Sequence, residues 1–158
     1  MLFEKGQKHG FEFLPNWLEG VDHTALDVVE QYQHAKEHKY LAKDNAANYN
    51  NRWLQFRGTF IGKTKILVDR VRQSIDAKDA HIYANFVKHG NQYGRHNDPM
   101  SVLIVQVWNS IAYCVESEIG DKQHTSFILN PGDAIYIHKG TWHTPIISEE
   151  RMTLSFSW

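Results

Sequence analysis

The chain has 158 residues, with 17 Lys and Arg against 18 Asp and Glu and a formal net charge of −1. That length corresponds to one domain, spanning 1–158 and large enough to bury a core without staples. The single cysteine, Cys114, excludes an intramolecular disulfide framework and a thiolate zinc cluster, and the balanced charge excludes a general polyanion binder, so no general nucleic-acid binding is expected.

From the N-terminus, Met1, Leu2, Phe3, Glu4 and Lys5 carry charge at once and lack the apolar run of a signal peptide. No stretch approaches the roughly 18 apolar residues of a membrane span. A cytoplasmic location without a membrane partner is therefore expected. Thr24-Ala25-Leu26-Asp27 resembles a capping box with Asp in place of Glu. Behind it Leu26, Val29 and Tyr32 recur at helical spacing, which predicts an apolar face up to about His38. Residues 44–51, rich in Asn and Asp, read as a loop. A second helix is predicted over 63–78, with Leu67, Val68, Val71 and Ile75 as its apolar stripe. Both helices are expected to buttress a sheet.

After residue 80 the pattern changes. Short β-rich runs at 81–88, 102–108, 111–116, 124–129, 134–138 and 151–158 alternate with turn residues such as Gly90, Gly94, Asn109, Gly120, Pro131-Gly132 and Gly140. Many short strands at such spacing predict an antiparallel sandwich or barrel. Helices before and strands after make the fold α+β. Residues 1–79 are read as mainly helical support, and 80–158 as a β-barrel core.

Ten histidines are present, and histidine is the commonest side-chain metal ligand. Position, not number, selects among them. In extended chain, residues i and i+2 project to one face, so His96 and Asp98 can share one ion while Asn97 points away. Further on, the hairpin between Gly132 and Gly140 can return His143 across a barrel towards them, with His138 as its rival. Two imidazoles and one carboxylate with open positions form the facial triad of non-haem Fe(II) oxygenases. His9, His23, His34, His38 and His89 read as surface or loop residues, and His81 and His124 as packing residues within strands.

These segments resemble two branches of the double-stranded β-helix superfamily. Gly132, His138, Gly140 and His143 are similar to the second cupin motif, with His138 where that motif has proline. The string LNPGDAIYIHKGTWH resembles the jumonji-type segment that ends in the distal iron ligand. Upstream, Asn85, Gly90, His96 and Asp98 are similar to the approach of 2-oxoglutarate/Fe(II) oxygenases, with Val87 in place of a usual tyrosine. Tyr93-Gly94-Arg95-His96-Asn97-Asp98 resembles the prolyl-hydroxylase-like pattern, and DPMSVLIVQVW the strand that follows it. The resemblance covers about 80–158. It implies a cupin-like jelly-roll barrel with N-terminal supporting helices, and favours His143 over His138.

The resemblance further implies Fe(II) held by His96, Asp98 and His143, with 2-oxoglutarate as co-substrate. Such oxygenases hold the distal carboxylate of 2-oxoglutarate with a cation. Alternation along 151–158 puts Arg151, Thr153, Ser155 and Ser157 on one face and Met152, Leu154, Phe156 and Trp158 on the other. A guanidinium beside a hydroxyl suits a carboxylate, so Arg151 with Thr153 or Ser155 is the expected anchor, with Tyr93 alongside. Many jumonji-like members instead use a cation from the strand after HxD, and 109–113 contains none. Tyr83, Tyr93, Trp108 and Trp142 are candidates to line the site.

The leading expectation is thus a 2-oxoglutarate- and Fe(II)-dependent oxygenase or hydroxylase acting on a small molecule or a protein side chain. The alternatives are a metal-binding cupin that does not use 2-oxoglutarate, acting as a dioxygenase or isomerase, and a non-catalytic β-barrel binding module. The N-terminal half is open to capping the barrel, to forming a lid or to assembling a homo-oligomer.

Overall fold

The computed structural model describes residues 10–40, 53–57, 60–86, 94–116 and 124–158, with 53–57 described by backbone only. The predicted 44–51 loop lies outside them, as do His9, His89, Gly90 and Tyr93. In chain order the elements are β1 (Phe11–Leu14), α1 (Ala25–Glu37), β2 (Trp53–Arg57), α2 (Gly62–Ser74), β3 (Asp79–Asn85), β4 (Val102–Trp108), β5 (Ile111–Glu116), β6 (His124–Leu129), β7 (Ala134–Ile137), β8 (His143–Ile146) and β9 (Arg151–Ser157).

The strands form two antiparallel sheets, one in the order β1-β7-β4-β9-β3-β2 and one in the order β6-β5-β8. Their facing surfaces enclose Val102, Ile104, Ile111, Tyr113, Val115, Leu129, Ile135 and Ile137. This is the antiparallel sandwich that the strand spacing predicts, in the jelly-roll arrangement that the resemblance implies. Strands β4, β7 and β9 of the six-stranded sheet are buried on both faces, because the helices cover its outer side. There Leu103, Val105, Leu154 and Phe156 meet Val28 and Ala35 of α1 and Leu67, Val68 and Val71 of α2. A strand covered on both sides reads as a continuous apolar run, and β4 is such a run. In β5 alternate residues are buried, so the outer face of the small sheet is open to solvent.

Both predicted helices form, each with one difference. Thr24 caps α1 with a full capping box, its backbone N–H donating to Asp27 Oδ2 at 2.7 Å. The buried face of α1, however, is Val28, Gln31 and Ala35; Leu26 is 65% exposed and Val29 40%. Both stripes fit a period of 3.6, and contact with α2 selects between them. Buried Gln31 accepts from Ile61 N at 2.9 Å, which satisfies a backbone donor at the α2 entrance where no side chain caps. In α2 the predicted stripe is buried as expected, but the helix ends at Ser74. Ile75 turns to extended backbone (φ −136°, ψ 146°), and Lys78 N donates to Ser157 O at 2.8 Å. Strand β3 therefore begins two residues before the expected start at His81.

The N-terminal half is not only helical. It supplies β1, paired with β7, and β2, paired with β3, so both edges of the large sheet come from it. Phe11 and Phe13 of β1 lie 5.3 and 5.1 Å from the Phe127 ring of β6, which draws the two sheets together at that edge. Gly132 opens β7 with φ 96°, and a Cβ there would lie 2.9 Å from Leu18 O. No described helix is long and apolar enough to cross a membrane.

Candidate metal centre and carboxylate site

The residues 94–98 and strand β8 meet at an antiparallel bridge. His96 N donates to His143 O at 3.0 Å, and His143 N donates to His96 O at 2.8 Å. Gly140 N donates to Asp98 O at 2.8 Å, which ties the end of the β7–β8 turn to the same segment. The sequence puts His96 and Asp98 on one face by alternation, and this bridge carries His143 beside them. The ligand atoms of the three side chains all lie within 4.8 Å of one another. His143 Nε2 is 3.6 Å from Asp98 Oδ2, and the two imidazole rings are 4.3 Å apart.

Both imidazoles are held in the same way. His96 Nδ1 lies 2.8 Å from Gly94 O, and His143 Nδ1 lies 3.0 Å from Thr141 O. A backbone carbonyl only accepts, so each Nδ1 carries the proton and each Nε2 presents its lone pair. Metal-ligating histidines are oriented in this manner. His143 is buried, and burial holds its pKa below the usual 6.5, which keeps it neutral and able to ligate. With the Asp98 carboxylate, the set fits a divalent transition ion.

The cluster borders a cavity of about 380 Å³ between the sheets, also lined by Asp79, His81, Tyr83, Tyr113, Arg151 and Ser155. Arg151 is 1% exposed. Its Nη1 donates to Tyr83 O at 3.1 Å and to Thr153 Oγ1 at 2.6 Å. Thr153 Oγ1 in turn donates to Gln106 Oε1 at 2.6 Å, and Gln106 Nε2 donates to Trp108 O and Asn109 O. This relay anchors one side of the guanidinium to the β4–β5 turn. Among the described residues the buried Nε donor on the other side has no partner, and no carboxylate pairs with Arg151. Burial pulls its pKa down to about 10, so it is still a cation at neutral pH. Beside it, burial pushes the Tyr113 hydroxyl up to about 12 against the pull of that cation, so Tyr113 is a proton donor at any working pH.

The structure thus brings His96, Asp98, His143, Arg151 and Ser155 to one cavity, with Thr153 bonded to Arg151 but facing Gln106. Tyr93 lies outside the described residues. Of the aromatic candidates Tyr83 lines the cavity. Trp108 instead packs on the outer core, because a register shift between Gln106 and Trp108 turns it away. Trp142 lies under the Arg95 guanidinium, 4.0 Å from ring centre to Cζ. Asn85 is buried with its amide donating to Glu149 O.

The other histidines also depart from expectation in places. His81 lines the cavity with Nε2 at 3.3 Å from Asp79 Oδ2, His124 is exposed, and His23 is buried against Thr64. His138 ends beside Lys139 O, away from the cavity lining. Tyr113 is the residue that sequence reasoning missed. Its position in the alternating IAYCVE strand marks it as inward-facing, but the partner across the barrel is not visible in one strand.

No family model and no curated protein matches the sequence. Among solved structures, the chain is similar to the Escherichia coli ribosomal oxygenase YcfD, with a TM-score of 0.56 and 20% identity over 66% of this chain and 31% of that one. The same oxygenase in complex with cobalt and 2-oxoglutarate gives 0.55 and 23% over the same shares. The chain is a double-stranded β-helix. This double-stranded β-helix spans under a third of YcfD, and at such identity the likeness is one of fold.

Proposed function

We propose that this protein is a 2-oxoglutarate- and Fe(II)-dependent oxygenase or hydroxylase. The observation that carries the reading is Arg151, a buried cation without an acidic partner among the described residues, lining the same cavity as the His96, Asp98 and His143 cluster. An uncompensated buried charge is strongly destabilising, and an anionic ligand removes that penalty. A 2-oxo dicarboxylate matches both ends of the site, with a chelating end for a metal and a free carboxylate for the guanidinium. YcfD, whose fold this chain shares, has been solved in complex with cobalt and 2-oxoglutarate.

In this reading His96, Asp98 and His143 hold Fe(II), and Arg151 with Ser155 binds 2-oxoglutarate. When bound, iron and 2-oxoglutarate supply the oxidising chemistry that turns dioxygen, 2-oxoglutarate and substrate into succinate, carbon dioxide and hydroxylated product. The protein contributes orientation and a dry pocket. The Gly94 and Thr141 carbonyls hold the imidazole protons at Nδ1. The Arg151 edge formed by Nε and Nη2 suits bidentate capture of a carboxylate, and the Tyr113 hydroxyl donates beside it. Val102 and Ile104 line the cavity with apolar surface. The substrate of this reaction is a small molecule or a protein side chain.

Succinate formation from 2-oxoglutarate with Fe(II), ascorbate and oxygen tests the reading. The wild type is expected to release succinate, and His143→Ala and Arg151→Ala to release none. Stabilisation by Mn(II) with no added effect of 2-oxoglutarate, together with no succinate, would instead favour a cupin that does not use 2-oxoglutarate.

A further inference from the structure

The outer face of the small sheet should hold little besides solvated side chains, yet one carboxylate there is covered. Glu116, the last residue of β5, has a side chain only 12% exposed. Arg95 grips it with a two-point fork: Nη2 donates to Oε2 at 2.9 Å, and Nε to Oε1. The same guanidinium sits over the Trp142 ring, with Cζ 4.0 Å from its centre. Glu116 N in turn donates to Trp142 O at 3.0 Å. Three segments that are distant in sequence therefore meet at one planar group.

Their neighbours give this clamp its meaning. Arg95 directly precedes His96, Trp142 directly precedes His143, and Glu116 follows Val115, the register partner of His143. Successive residues of extended chain point to opposite faces. Arg95, Trp142 and Glu116 on the outside thus back onto His96 and His143 on the inside. We propose that Arg95 is a positioning residue, which holds the two imidazoles at metal-binding distance from outside the barrel. This rests on the metal-site reading above. Only arginine combines a planar face for the ring with a rigid fork for the carboxylate. Arg95 itself is about half open to solvent, and ion pairs open to solvent contribute little to global stability, so the clamp acts on local geometry.

Co(II) titration and amide hydrogen exchange on the full chain test this, with Arg95→Ala, Arg95→Lys and Trp142→Phe beside the wild type. Arg95→Ala is expected to lower Co(II) affinity roughly tenfold, as for other residues that orient metal ligands, and to alter the Co(II) absorption spectrum. It should speed exchange of the His96 and His143 amides in the metal-free protein while the β4 amides keep wild-type rates. Arg95→Lys should restore the affinity only in part, and Trp142→Phe, which keeps an aromatic face, should stay close to wild type. Wild-type affinity and exchange in Arg95→Ala, beside a wild type that binds Co(II), would overturn the clamp alone. Exchange rising equally throughout the barrel would also overturn it, since that marks general destabilisation. A wild type that takes up no Co(II) would overturn the metal reading itself.

Discussion

The two faces of β9 are built from the same seven residues and do opposite things. On the outer face Met152, Leu154 and Phe156 have no exposed surface and pack under the helices. On the inner face Arg151 and Ser155 are as deeply buried, but they line a cavity. Burying a methyl group is favourable by transfer alone, whereas burying a guanidinium is unfavourable unless something pairs with it. The outer face therefore stabilises the fold, and the inner face holds a buried cation that no carboxylate among the described residues compensates.

The sharpest contrast is between neighbours. Leu154→Ala should cost about 2–5 kcal/mol, the range for a fully buried leucine, whereas Ser155→Ala should change stability by less than about 0.5 kcal/mol. Urea denaturation of both variants checks this. Equal losses would mean that the inner face is part of the load-carrying core and would break the comparison.

Arg151→Met should move in the other direction. Replacing a buried charge with an apolar chain of similar length is often neutral or stabilising by about 1–4 kcal/mol. The ligand-free variant is thus expected to unfold at the same or a higher urea concentration than the wild type, while its stabilisation by Mn(II) plus 2-oxoglutarate disappears. A large loss of stability would show that the bonds to Tyr83 and Thr153 outweigh the isolated charge.

The smallest effect belongs to the helical layer. His23 is buried with Nε2 3.1 Å from Thr64 Oγ1. Burial lowers its pKa below 6.5, and Asp27 only partly opposes this. The folded state therefore favours neutral His23. Its contribution is present above pH 6.5 and is lost as pH falls below that value. Between pH 7 and 5 the urea midpoint should fall less steeply for His23→Gln than for the wild type; identical slopes would assign the acid sensitivity elsewhere.

Much of the fold was legible because local rules and tertiary packing agree. Strands 102–108, 111–116 and 124–129 are found where the alternation and turns put them, and the α2 stripe is buried as read. Disagreement arose where two readings fit one local rule. In α1 the Leu26 and Val28 faces share a period, and only contact with α2 decides between them. Strand β1 is four residues long and has no pattern of its own beyond two phenylalanines. In the site, His96 and Asp98 are paired by spacing, and His143 was named by motif. The Tyr113 hydroxyl beside Arg151 and the clamp of Arg95, Glu116 and Trp142 had no local signal.

By itself the sequence determined which residues face the same way within each strand. Side-chain direction alternates with a period of two wherever the extended chain has no bulge, so Arg151 and Ser155 share a face, as do His96 and Asp98, whereas the register shift in β4 turns Trp108 against that rule. Only the tertiary structure decided which faces meet. The bridge between His96 and His143 and the cavity that joins them to Arg151 come from contacts between residues far apart in the chain. Those contacts are set by the closure of two sheets, which no single segment encodes.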